Sequence, residues 1–274
     1  MRSQRLWGDP FDSGVDVVRW LVAVQSQDFP ISRWSIGQRT RSATEQDVDR
    51  AFANGAILRT HVLRPTWHFV LPEDIRWMLA LTGPRVRAKN ALYARRLGLD
   101  DATFAKSNRV LAGAVDGGHR TRSELRADLE RSGIDATGLR LAFIVSNAEL
   151  EALVCSGGRR GAQHTYASID ERAPDAKTLD RDEALAELAR RYFASRGPAT
   201  LHDLSWWSGL PLTDCRRGVD LAGNASLDHE TLDGDTTGSP DPLARIVDQP
   251  RLASTWSRPT TSGWSPTAGP ATFP

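Results

Sequence analysis

Gln25 and Gln27, with Ser26 between them, are spaced so that two amide side chains can act together. Glutamine offers an acceptor oxygen and two donor hydrogens, but it neither takes nor gives a proton at ordinary pH. The pair therefore cannot serve as acid and base. It can orient a water molecule and steady positive charge that develops in a transition state. Residues two apart point about 200° apart on a helix but share a face on extended backbone. Joint action requires the preceding helix to end near Gln25 and the pair to lie on irregular backbone facing a cavity. Taken alone, two glutamines after a helix are ordinary surface residues.

Other polar side chains cluster nearby in sequence. His68 follows Trp67 and is a candidate to line a site or touch phosphate, although a hairpin histidine is more often structural. His61 carries a weaker signal. Arg59, Arg64, Arg85 and Arg87 are phosphate candidates, and Arg159 and Arg160 tip a turn. Solvated surface arginines are the bland alternative. Three of the 35 basic residues are lysine, and arginine suits bidentate phosphate and guanine contacts. Net charge is only +1, yet residues 75–99 hold no acid and accumulate Arg76, Arg85, Arg87, Lys89, Arg95 and Arg96. Such a local patch can bind phosphate whatever the total charge.

The two cysteines, Cys155 and Cys215, form no CxxC and read as small buried hydrophobes. No metal site and no cofactor are expected, and phosphate-loop, dinucleotide-binding and Ser/His/Asp signatures are absent. No apolar run approaches the ~20 residues of a membrane span, and residues 1–8 lack a secretory apolar segment. A reducing cytoplasm is the expected location. Of the adjacent Trp206 and Trp207, one or the other reads as core rather than as a platform for a base.

These residues need elements to hold them. Periodicity predicts a helix over residues 11–24, a short one over 31–38, and one capped by Thr44 and stopped by Gly55. Residues 57–71 are β-branched and aromatic with a break at Arg64-Pro65, which predicts a hairpin. Pro72 opens a further helix that Gly83-Pro84 should end. Helices followed by a hairpin make a winged helix. The pattern recurs with helices at 101–115, after the Thr121/Glu124 capping box, and at 137–152, then strands at 153–155 and 163–167. It begins again with helices at 180–195, 201–207 and 212–221, and a strand near 227–232. The expected fold is α+β, mainly helical, with tandem winged-helix units at 1–98, 99–175 and, in part, 176–235.

Val24-Gln25-Ser26-Gln27-Asp28, Leu58-Arg59-Thr60-His61, Arg64-Pro65-Thr66-Trp67-His68 and the run from Gly197 to Gly209 together resemble the AlkZ/YcaQ-type winged-helix DNA glycosylases. The resemblance covers residues 10–233. It implies three winged-helix motifs and a C-terminal β-barrel, with a Gln-x-Gln or Gln-x-Asp segment carrying the activity in a polar tunnel. Ser26 departs mildly from the apolar residue usual between the two. The resemblance makes Gln25 and Gln27 the catalytic candidates. Alkylated purines already carry positive charge, so their glycosidic bond is weakened without an acid. The implied partner is double-stranded DNA, alkylated or crosslinked, met by a monomer in the nucleoid. A non-catalytic DNA-binding protein or inactive truncated paralogue is the alternative.

Residues 236–274 break the pattern. They hold seven of the fifteen prolines, and no acid follows Asp248. They are expected to be a disordered or frame-shifted tail, because an alternate frame from Ser254 can encode a Tyr-Asp-Glu segment like the family's. No match to the barrel is found there.

Overall fold

The computed structural model describes residues 2–223, 228–231 and 245–248. The first unit runs α1 (Gly14–Leu21), β1 (Val24–Gln25), α2 (Phe29–Gly37), α3 (Glu45–Ala53), β2 (Leu58–His61) and β3 (Trp67–Val70). A long α4 (Pro72–Arg96) leads to α5 (Asp101–Val115), β4 (Arg120–Thr121), α6 (Arg122–Arg131), α7 (Leu139–Leu150), β5 (Val154–Ser156) and β6 (Thr165–Ser168). Both units repeat one order of elements, and both sheets place the last strand centrally and antiparallel: β1-β3-β2 and β4-β6-β5. After the short α8 (Ile169–Arg172) come α9 (Arg181–Arg196), α10 (Leu201–Ser208), α11 (Leu212–Ala222), β7 (Asp228–Thr231) and β8 (Arg245–Asp248). The architecture is the expected mainly helical α+β fold.

Local chemistry sets the helix starts. Thr44, Thr121, Asp180 and Thr200 each accept from the third residue of their helix, while Asp47, Glu124, Glu183 and Asp203 reach back to the cap backbone. These reciprocal bonds satisfy donors that the first turn leaves free.

Three expectations need correction. Gly83-Pro84 does not end α4, which continues to Arg96. Trp77, Met78 and Leu81 before the proline and Val86 after it are all buried. Burial on both sides outweighs the roughly 3 kcal/mol cost of an interior proline. The third unit has no antiparallel wing among the described residues, since β7 pairs with β8 in parallel. Lastly, β8 lies inside the stretch expected to be a disordered or frame-shifted tail, and only the first of these alternatives is at odds with a strand. Residues 236–244 and 249–274 lie outside the described residues.

The first sheet has two buried faces. Ile57, Phe69 and Leu71 pack into the first unit's own core with Val18, Phe29, Ile36 and Phe52. Leu58, Val62 and Val70 alternate onto the other face and pack against α4 and the third unit, with Trp77, Met78, Leu188, Phe193 and Leu204. The second unit keeps a separate core around Leu111, Leu125 and Ile144. A buried ion pair ties α4 to α9: Arg191 Nη1 donates to both oxygens of Asp74 at 2.8 Å, and Trp77 Nε1 donates to Asp74 at 3.0 Å. The sheet that begins at Val24 is therefore fixed against α4 and α9.

Candidate functional site

The Gln25 segment is delivered by a strained reversal. Val22, which is buried and β-branched, ends α1 at φ 65°. Leu63, just before Arg64, has φ 66°. Non-glycine residues in this region cost about 1–3 kcal/mol each, and such strain concentrates at functional sites. The chain then runs extended. Gln25 is exposed, Ser26 buried and Gln27 exposed. Both amides are thus open to solvent, on either side of the buried Ser26.

The backbone between them is held from both sides. Ser26 N–H donates to Trp67 O at 2.7 Å. Arg59 donates to Ser26 O through Nη2 at 2.8 Å and Nε at 3.1 Å. Its guanidinium lies 3.5 Å from the centroid of Trp67. Burial lowers the Arg59 pKa to about 10, against an upward pull from Glu149, so it stays charged at neutral pH. With 4% exposure, Arg59 is not the phosphate contact its sequence position suggested. It braces the catalytic candidates instead. Gln27 Oε1 accepts from Trp67 N–H at 3.3 Å, and Gln25 Oε1 accepts from Arg64 Nη2 at 3.5 Å.

His68 is fully buried on the central strand, also unsuited to phosphate. It pairs with Gln25 across β1–β3 and with Thr60 across β2–β3, so the three share a row on one face of the sheet. Its Nδ1–H donates to Thr66 O at 3.0 Å, leaving Nε2 as an acceptor without a protein partner. Burial pushes its pKa down to about 3, with Arg64 adding to the effect, so the ring is neutral. Both glutamines are open to solvent, and two cavities among the described residues, of about 1060 and 460 Å³, are lined by other residues.

The other two units reach this spot. From the second, His164 packs on Phe29 at 4.8 Å and near Trp67 at 6.4 Å. Burial, with Arg59 and Arg159 nearby, lowers its pKa to about 4. Arg159 lies 5.3 Å from the Phe29 centroid. From the third, exposed Trp206 carries the Arg64 guanidinium 4.6 Å above its ring. The tip of α10 is clamped in place, for Arg85 Nε donates to Gly209 O at 2.9 Å.

A family model described as DNA glycosylase AlkZ-like matches residues 18–255. The chain belongs to this AlkZ-like family. The match runs past residue 233, where the motif resemblance stops. An interstrand DNA cross-link repair glycosylase of Streptomyces sahachiroi is 25% identical over 221 residues, covering 77% of this chain and 60% of that protein. The solved structure of the Streptomyces sahachiroi DNA glycosylase AlkZ has the same fold at a TM-score of 0.71 and 23% identity, covering 82% of this chain and 63% of that one. The chain thus spans less than two thirds of the length of these relatives.

The remaining candidates of this AlkZ-like chain divide by partner. Arg85 is spent on the α4–α10 clamp, and Arg87 pairs with Glu151. Arg160 is held by Glu124 at 2.7 Å and His119 O at 3.0 Å. Arg159 is exposed, and among the described residues it meets no carboxylate within ion-pair range. Of the two adjacent tryptophans, Trp207 is the one packed on the core, 5.1 Å from Tyr192, while Trp206 is exposed. His164 gives no signal in the sequence, because it lies just before β6 with no motif around it. The cysteines are buried as expected, their thiols pushed up to about 12 (Cys155) and about 11 (Cys215) by burial. Among the described residues there is no metal-binding cluster and no helix long and apolar enough to cross a membrane.

Proposed function

We propose that the chain is a monofunctional DNA glycosylase that removes alkylated purines, crosslinked ones included, from double-stranded DNA. One observation carries this reading: Gln25 and Gln27 present two amides to solvent on either side of buried Ser26, whose carbonyl is braced by the Arg59 guanidinium. Family membership and the relative named for interstrand cross-link repair support it. An N7-alkylated purine leaves with the C1′–N9 bonding pair, which neutralises its positive charge, so no acid is needed. Water supplies the oxygen that bonds C1′ and releases a proton to solvent. The amide oxygens steady the cationic sugar and orient that water. Arg159 and Arg64 are the phosphate contacts best placed to hold the duplex. Duplex DNA containing 7-methylguanine should lose that base when incubated with the protein. Gln25→Ala with Gln27→Ala should abolish release while leaving duplex binding. Equal release by the double variant would remove these roles.

A further inference from the structure

We propose that the indole face of Trp206 is the platform on which the cationic base stacks, and that Arg64 holds this place in the free protein. The proposal rests on the glycosylase reading above. Trp206 is 73% exposed, the most exposed large apolar side chain described, while Trp207 beside it packs into the core. An isolated exposed tryptophan is unremarkable on its own. This one is covered by a flat, delocalised cation, with Arg64 Cζ 4.6 Å from its centroid. An N7-alkylpurine is also a flat, delocalised cation. The negative face of an indole attracts both for the same reason.

Arg64 is held loosely. Its bond to Gln25 Oε1 is 3.5 Å long, at the limit of a hydrogen bond, and its Nε is buried without a partner. Among the described residues no carboxylate lies within ion-pair range of it. Displacing Arg64 frees the indole face and the Gln25 carbonyl in one movement. It also releases a cation that can turn to phosphate. The platform itself stays fixed. Gly209, which ends α10, sits so close that an added Cβ would lie 2.5 Å from Leu63 O, and Arg85 clamps its carbonyl. Trp206 therefore keeps a set position beside Gln25. The consequence is a preference for charged over neutral purines beyond the difference in leaving-group quality.

The nucleoside 7-methylguanosine tests stacking without DNA or turnover. In the full chain, the Trp206 indole N–H resonance is identified by its loss in Trp206→Phe. It should shift on titration with 7-methylguanosine at mildly acidic pH, where the base is cationic, and not with guanosine. Arg64→Met removes the competitor and should tighten nucleoside binding. Trp206→Leu should lower the single-turnover rate of 7-methylguanine release by about 2- to 30-fold, with Trp206→Phe losing less. An unmoved resonance, weaker nucleoside binding by Arg64→Met, or full release by a folded Trp206→Leu protein would each overturn the platform. Absence of release by the parent protein would instead refute the glycosylase reading, and the nucleoside titration would still decide the stacking.

Discussion

Gln25 on β1 and His68 on β3 face each other as a closely spaced pair. Ser26 N–H bonds to Trp67 O just beyond them, so the pair itself exchanges no backbone hydrogen bond, the arrangement that brings cross-strand side chains nearest. One member is exposed and the other fully buried, because β1 is an edge strand and β3 is central. The neutral imidazole thus lies beside the candidate catalytic amide, on the same face of the sheet.

Acid should destabilise the protein through His68. Its pKa falls from 6.5 to about 3 on folding, chiefly through burial. Between those values the unfolded chain binds a proton that the native state refuses. Stability therefore falls as pH drops below 6.5, by up to about 1.4 kcal/mol per pH unit from this group. Urea unfolding at a series of pH values should show the slope, and His68→Leu should flatten it by about one proton. An unchanged slope would mean that His68 is not neutral in the fold.

The protein itself should impose no limb on the rate of base release between about pH 5 and about pH 9, so any fall above neutrality follows the loss of the N1 proton from the 7-alkylguanine. The glutamines do not titrate. His164 and His68 lose their protons at about 4 and about 3, and Arg59 keeps its charge to about 10. A limb inside that window other than the substrate's own would require an acid or base that the amide pair does not contain. Single-turnover rates across buffers of constant ionic strength measure this.

Arg59→Met should cost about 2–4 kcal/mol, because buried charge-assisted bonds to the Ser26 carbonyl disappear. Base release should fall with it, since the carbonyl that fixes the Gln25 and Gln27 backbone loses its donors. Lysine should not rescue either property. An ammonium can neither reach one oxygen with two donors of a rigid fork nor stack on Trp67 as a plane. Chemical denaturation and the release assay together decide it; a fully active Arg59→Lys would show that the fork is dispensable.

Much of this arrangement was legible in the chain. The capped helices announce themselves through local pairs such as Thr121 with Glu124, and the extended Gln25 segment follows from the need for two amides on one face. What escaped depends on packing. β1 and β4 are two residues long, too short for any period to show, and without β1 the Gln25–His68 register is invisible. Arg59 carries the same charge signal as a solvated arginine; only the aromatic wall of Trp67 and Phe29 makes it a buried brace. Trp206 and Trp207 are neighbours of identical type, and the rotation of α10 against the core decides which is left in solvent.

Gly209→Ala should separate backbone strain from close approach. Gly209 and Gly161 both have positive φ, 73° and 62°. An alanine at either meets the cost of a left-handed conformation, about 1 kcal/mol. At Gly161 nothing lies within 4 Å of the added carbon, whereas at Gly209 it would sit 2.5 Å from Leu63 O. A backbone oxygen cannot rotate away as a flexible side chain can, so α10 must shift off the Leu63–Arg64 turn. Gly209→Ala should therefore lose about 2 kcal/mol more than Gly161→Ala in equilibrium unfolding, within the usual range for overpacking. Because that shift also carries Trp206 away from Arg64 and Gln25, base release should fall in Gly209→Ala and hold in Gly161→Ala when both are measured well below their melting temperatures. Equal losses in the two variants would show that the third unit does not lean on the first at this point.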